Sequence, residues 1–217
     1  MGWASYREDI ISRFVGAENL KSIYQPKPAT PKITAGPTTP PQSATKKEPA
    51  MSTLNEFNIS TPKPLPVIML VDVSGSMAAN GKIDALNTAV AEMIASFAQD
   101  ETDQAQIQVA VITFSSEAKL HKSLTPAVNL EWQPMTAGGK TAMGAAFDLA
   151  TNLIEDQQQM PIHAYRPAIV LVSDGVPTDA WKPALDRLLN SKQGKKAERF
   201  ALGIDAKESH AMLKAFV

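Results

Sequence analysis

The sequence predicts an α/β fold in which a mostly parallel, doubly wound β-sheet carries helices on both faces, and three observations indicate it. First, short β-branched apolar runs, VIMLVDV at 67–73 and AIVLV at 168–172, are typical of strands buried on both faces. Second, these runs alternate with segments whose apolar residues recur at helical spacing. Third, an alternation of strands and helices is the pattern that builds parallel sheets, because each helical crossover returns the chain to the end of the sheet where the previous strand began.

The first half of the domain contains three predicted strands and one helix. The run at 67–73 is the first strand, and IQVAVITF at 107–114 is the second. Between them, apolar residues at helical spacing mark one buried helix face: Ile83, Leu86, Val90, Met93 and Phe97. The more polar AKLHKSL at 118–124 follows a tight turn, which predicts a single antiparallel edge strand.

The second half repeats the alternation after an irregular region. Met143, Phe147, Ala150 and Ile154 define an amphipathic helix, and the run at 168–172 is the next strand. The remaining predicted elements are a helix marked by Trp181, Leu185 and Leu188, a strand at 199–204 and a helix at 207–216. The sequence therefore predicts a domain that extends over residues 62–217.

Two segments of different character precede this domain. Residues 1–25 contain Trp3, Tyr6, Ile10 and Phe14 at helical intervals, which predicts a short amphipathic helix, either a docking helix or a frayed terminus. Ten of the sixteen prolines lie between Pro26 and Pro66, and few large apolar residues accompany them. Because such a stretch cannot bury enough surface to offset its ordering entropy, residues 26–61 are predicted to be a flexible linker.

Composition and the lack of long apolar runs limit the partners, the chemistry and the location that we expect. A formal net charge of −1 gives no electrostatic reason to expect nucleic acid or an anionic membrane. The absence of cysteine excludes disulfides, thiolate metal sites and cysteine nucleophiles. The sequence has neither a secretory signal nor an apolar run long enough to span a bilayer. We therefore expect a cytoplasmic protein.

Polar residues follow the two most apolar strands. The first strand runs into Asp72-Val-Ser74-Gly-Ser76, and the later one runs into Asp174. In a parallel sheet, the functional crevice lies beyond the carboxyl ends of the strands. If the first turn is extended, alternation points the carboxylate and both hydroxyls one way. Oxygen ligands of low total charge suit a hard cation such as Mg²⁺.

With these motifs in place, the sequence resembles the von Willebrand factor A (vWA) family. In that family a metal-ion-dependent adhesion site combines Asp-x-Ser-x-Ser, a threonine in a glycine-rich loop and a later aspartate. The resemblance covers the chain from about residue 61 to its end, with Thr141 in GGKTAMG as the threonine. It implies a site for Mg²⁺, or for Mn²⁺ or Ca²⁺, with these ligands: Asp72, Ser74, Ser76, Thr141 and Asp174.

The stretches VIMLVDVSGSM and SDGVPTDAWKPAL are more similar to vWA proteins of bacterial tellurite-resistance and stress operons (TerY-like). This resemblance implies a non-enzymatic adaptor whose metal binds an acidic residue of a protein partner, alongside kinase- or phosphatase-like proteins. The family fold usually has one more strand and a final helix after the segment equivalent to 199–216. Either this domain is truncated, or the edge is completed otherwise, for example by the N-terminal segment.

Two enzyme hypotheses compete with this interpretation. GGKT suggests a phosphate-binding loop, but the required first glycine position is occupied by Pro134, which has no N–H to donate. A Mg²⁺-dependent phosphatase of the haloacid dehalogenase type is the better alternative. It needs a second aspartate as general acid/base where this chain has Ser74.

Three residues near the site are given structural roles. Asp179 is expected to cap the helix that begins near Ala180, and Trp181 to pack at the start of that helix. Lys140 is expected to be a solvated loop lysine beside Thr141.

Overall fold

Six strands and four α-helices form the part of the chain that the computed structural model describes, namely residues 22–24, 62–100, 105–204 and 210–217. The strands are β1 (Ser22–Tyr24), β2 (Lys63–Asp72), β3 (Ala105–Phe114), β4 (Ala118–Pro126), β5 (Ala168–Ser173) and β6 (Glu198–Gly203). The helices are α1 (Lys82–Gln99), α2 (Met143–Glu155), α3 (Trp181–Asn190) and α4 (His210–Phe216). Short 3-10 segments span Gly75–Gly81, Ala127–Asn129 and Gly194–Lys196. None of the described helices is long and apolar enough to cross a membrane.

One mixed sheet contains all six strands in the order β1-β6-β5-β2-β3-β4. The four inner strands are parallel to one another, and β4 pairs antiparallel with β3. This arrangement confirms the predicted α/β fold with one antiparallel edge strand, which was predicted at 118–124 and spans Ala118–Pro126.

A second antiparallel strand, β1, lies at the opposite edge of the sheet, and the sequence pattern did not predict a strand at these residues. Residues 22–24 pair with 201–203 of β6, in the register Ser22↔Gly203 and Tyr24↔Ala201. A piece of the N-terminal segment therefore lies at the edge for which the sequence left two alternatives open. The predicted helix around residues 3–14 and the linker at 26–61 lie outside the described residues.

The core consists of two layers, one on each face of the sheet. Alternate residues of β2 face opposite sides, so that Val67 and Met69 belong to one apolar cluster while Ile68 and Leu70 belong to the other. The first cluster includes the predicted face of α1, and the second includes the predicted faces of α2 and α3. This two-sided burial explains why residues 67–71 of β2 are a continuous apolar run. Each fully buried large apolar side chain there contributes about 1.5–3 kcal/mol to stability.

The position of the site follows from the order of the strands. From β2 the chain goes on to β3 on one side, whereas β5 lies on its other side, so the order reverses between β2 and β5. These two strands are parallel and in register, with Val71 opposite Val172. Their carboxyl ends, which lead into Asp72 and Asp174, therefore lie side by side at the switch point where α/β sheets bind ligands.

Candidate metal centre

Asp72 is the innermost carboxylate of the site. It is fully buried, and its Oδ1 accepts a hydrogen bond of 2.8 Å from the Ser74 backbone N–H. Its Oδ2 accepts one of 2.6 Å from the Ser173 hydroxyl on β5. Burial raises the pKa of Asp72, and the nearby charge of Asp174 raises it further, while the bonds from Ser173 and Ser74 oppose this. Because burial penalises the charged form, Asp72 would gain from a nearby cation.

The two motif serines form a chain of hydroxyls that leads outward. Ser74 has extended φ/ψ of −66° and 171°, but a 3-10 segment begins at Gly75, so the turn is extended only in part. The hydroxyls nevertheless meet, because Ser74 Oγ lies 3.0 Å from Ser76 Oγ. Ser74 is 1% exposed, whereas Ser76 lies at the surface. Ser76 can therefore connect the buried end of the site to solvent.

Asp174 joins the serine chain from the neighbouring strand. Its Oδ1 accepts a 2.6 Å hydrogen bond from Ser76 Oγ. Its Oδ2 lies 2.6 Å from the ammonium nitrogen Nζ of Lys82, and its side chain is only 1% exposed. Lys82 was not predicted to belong to the site. The only signal in the sequence was a cation at the start of a helix, where the helix dipole disfavours it.

Thr141 reaches the same place on a loop that is fixed by backbone hydrogen bonds. Gly75 N–H donates to the Gly139 carbonyl over 3.0 Å, and Gly138 N–H donates to the Val73 carbonyl over 2.8 Å. Gly139 has a φ of 84°, and a side chain there would meet the Ser116 hydroxyl at 2.6 Å. Glycine at position 139 therefore allows this loop to approach Ser116 closely. Thr141 is 6% exposed, whereas Lys140 is exposed, as expected for a solvated lysine.

Oxygen atoms from three separate segments converge on one point beside Gly175. A methyl carbon built onto Gly175 would lie 3.6 Å from Thr141 Oγ1, 3.7 Å from Ser76 Oγ and 3.8 Å from Asp72 Oδ2. Ser74 and Asp174 are connected to this group through Ser76. All five predicted ligand side chains are thus brought together by the fold.

The donor set fits a hard divalent cation. It has two carboxylates and three hydroxyls, all of them oxygen ligands of the kind that Mg²⁺ prefers. Among the described residues, there is no group of three or more His, Cys, Asp or Glu side chains that could hold a metal. A metal centre at this place would therefore depend on its hydroxyls.

Asp179 does not cap the helix that the sequence suggested. Its carboxylate accepts hydrogen bonds from the backbone N–H groups of Gly144 at 3.0 Å and Ala145 at 3.1 Å, in the first turn of α2. Helix α3 begins after Ala180 without a side-chain cap. The prediction was wrong because the loop after β5 passes over the start of α2, so the unpaired N–H groups nearest to Asp179 are those of α2. Trp181 packs against the second apolar cluster, as expected.

Comparison with known proteins gives a match over the part of the chain that holds the site. The model of the von Willebrand factor type A domain family matches residues 67–176, a range that includes all five candidate ligands. An uncharacterized protein of Mycobacterium tuberculosis is 31% identical over 152 residues, which cover 68% of this chain and 23% of that protein. The chain thus spans less than a quarter of the length of this curated relative.

Solved structures with similarity to this chain include two of the same description. A von Willebrand factor type A protein from Catenulispora acidiphila is 17% identical, with a TM-score of 0.47 and coverage of 63% of this chain and 32% of that one. The vWF domain of the type V pili tip protein Mfa5 from Porphyromonas gingivalis is 16% identical, with a TM-score of 0.43 and coverage of 54% and 40%.

Proposed function

Because this chain belongs to the von Willebrand factor type A domain family, we propose that it is a protein–protein interaction domain that binds a partner's acidic residue through a divalent cation. The cation is Mg²⁺, for which Mn²⁺ or Ca²⁺ can substitute. The observation that carries this proposal is the convergence of Thr141 Oγ1, Ser76 Oγ and Asp72 Oδ2 around one point beside Gly175. Ser74 and Asp174 complete the ligand set.

The chemistry of the ligands favours adhesion. Three of the five side chains are neutral hydroxyls and only two are carboxylates, so the protein ligands would do no more than balance the charge of a divalent cation, which could still accept a carboxylate from outside. Ser173 and the Ser74 backbone N–H hold Asp72 in place through its two oxygens. The surface position of Ser76 gives an external carboxylate access to the site from solvent.

The proposed role is non-enzymatic. Hydrolysis would need a positioned base, and the two carboxylates of the site, Asp72 and Asp174, are assigned to the cation as ligands. The family match gives no support to the phosphatase alternative. We expect no turnover of a generic phosphate ester in the presence of Mg²⁺, and Mg²⁺-dependent turnover that is lost in Asp72→Asn would favour the enzyme hypothesis.

The cellular setting of this role is proposed from sequence resemblance alone. The similarity of VIMLVDVSGSM and SDGVPTDAWKPAL to TerY-like proteins supports an adaptor role in the cytoplasm of a bacterium, in a tellurite-resistance or stress system. Its partners would be kinase- or phosphatase-like proteins. A pull-down from the native cell, with and without EDTA, tests this setting, and a set of partners unaffected by EDTA would contradict the metal-bridged interaction.

The metal site itself is tested by removing one hydroxyl. Thr141→Val replaces the hydroxyl with a methyl group of similar size, and we expect Mg²⁺ affinity measured by calorimetry to fall at least about tenfold, the loss of one inner oxygen ligand. Thr151→Val is the matched control, because the Thr151 hydroxyl bonds the Phe147 carbonyl within α2. Equal Mg²⁺ binding by wild type and Thr141→Val, or no binding by wild type at millimolar Mg²⁺, would contradict the site.

A further inference from the structure

Lys82 makes a contact that the adhesion role does not require. Its ammonium lies 2.6 Å from Asp174 Oδ2, while Ser76 occupies Asp174 Oδ1, so both oxygens of this carboxylate are engaged by side chains of the protein. A lysine ammonium and a divalent cation are both attracted to a carboxylate, and both cannot have full use of the same oxygens.

The backbone before Lys82 is shaped to bring it to this position. Asn80 and Gly81, the last two residues of the segment 75–81, have positive φ values of 57° and 68°, and they turn the chain sharply into α1. Lys82 is then the first residue of α1, where a positive charge opposes the helix dipole. Helix stability therefore does not account for a lysine here, and the ion pair with Asp174 is the interaction that does.

The environment also allows the ammonium to leave. The Lys82 side chain is 15% exposed, against 1% for Asp174, so the lysine lies between the buried carboxylate and solvent. Lysine has a flexible four-carbon stem and a compact charge, so it can move to water without a change in the backbone. Asp174 cannot follow, because its side chain is buried and bonded to Ser76.

From these contacts we infer that Lys82 is a tethered cation that competes with the divalent cation for Asp174 and so sets the metal concentration at which the site fills. The inference rests on the proposed metal site and adds a specific regulator of it. Filling the site would release Lys82 at the start of α1.

Calorimetric titration of Mg²⁺ into the EDTA-treated and dialysed full chain tests this inference with three variants. Lys82→Gln should bind Mg²⁺ at least about tenfold more tightly than wild type, since removal of one unit charge near a divalent cation has an effect of that order even with strong screening. Lys82→Arg keeps the charge and should bind within about threefold of wild type. Lys140→Gln removes a charge from the exposed loop beside Thr141 and should also stay within that range.

Thermal unfolding gives a second readout that does not depend on binding of any partner. In EDTA, Lys82→Gln should unfold at a lower temperature than wild type, because the buried Asp174 carboxylate loses its cation. In saturating Mg²⁺ this difference should shrink or reverse.

Each outcome decides the inference. If Lys82→Gln binds Mg²⁺ no more tightly than wild type, or no more tightly than Lys140→Gln, the competition is refuted while the wild-type isotherm still supports the site. If no variant binds Mg²⁺, both the inference and the metal site fail. If Mg²⁺ binds with the expected order of affinities but no acidic partner binds, the inference stands and the adhesion function fails.

Discussion

Gly175→Ala separates occupation of the site from integrity of the fold. Gly175 is outside the left-handed region, so alanine can adopt its backbone conformation without strain. The added methyl carbon would lie 3.6–3.8 Å from the three site oxygens, which is ordinary packing distance. A Gly→Ala change of this kind alters stability by less than about 1 kcal/mol, mainly through the unfolded chain. We therefore expect Gly175→Ala to fold normally in EDTA.

The same methyl group should abolish metal binding. Mg²⁺ needs oxygens at about 2.0–2.1 Å and keeps several water molecules, so it needs the space that the methyl would fill. For wild type, Mg²⁺ at one hundred times its dissociation constant should stabilise the fold by about 2.7 kcal/mol. For a chain of this size, that gain corresponds to a rise in melting temperature of roughly 5–10 °C. Gly175→Ala should lose this rise.

Differential scanning calorimetry with EDTA and with Mg²⁺ measures both effects. Gly138→Ala is the control: it lies in the loop that leads to Thr141, it has no positive φ, and a methyl there meets nothing within 4 Å. This control should keep the Mg²⁺-dependent rise. An equal rise in Gly175→Ala and wild type would refute the placement of the cation beside Gly175.

Two further predictions concern the aspartates around the site. In EDTA, the pKa of Asp72 is raised in the folded protein, so the folded state binds the carboxyl proton of Asp72 more tightly than the unfolded chain does. The stability that this protonation contributes is present below about pH 4 and is lost as the pH rises through the folded pKa. Asp72→Asn should therefore equal or exceed wild type in urea midpoint at pH 7, with the gap closing towards pH 4; a gap that widens on acidification would contradict this. Asp179→Ala should lower stability by about 0.5–2 kcal/mol, the usual loss for a helix N-cap, because two N–H groups of α2 lose their acceptor. Because α2 begins next to Thr141, we also expect weaker Mg²⁺ binding in Asp179→Ala. Calorimetry that shows unchanged stability would contradict a capping role for Asp179 at α2.

The inner strands and helix faces could be predicted because their signals are local. β2 and β5 are buried on both faces, so their apolar runs are continuous, and each helix has one buried face. Asp72, Ser74, Ser76 and Asp174 could be placed together because they lie at or just after the ends of β2 and β5, where the geometry of a parallel sheet brings side chains together. Thr141 lies in the loop before α2, and only the resemblance to the vWA family pointed to it.

The remaining features depend on the path of the chain in space. β1 has three residues and no periodicity, and its pairing with β6 joins segments far apart in sequence. Lys82 meets Asp174, 92 positions away in sequence, after a turn formed by two residues with positive φ. Asp179 lies nearer in sequence to α3, but its carboxylate accepts hydrogen bonds from α2. Each is decided by contacts between distant segments, which local pattern does not record.

Anomalous diffraction from crystals of this chain equilibrated with Mn²⁺ tests the central claim most directly. We expect a peak beside Gly175, bounded by Asp72, Ser76 and Thr141, that is absent from crystals of Gly175→Ala. An empty site in wild type at saturating Mn²⁺, or a peak at some other place alone, would contradict it.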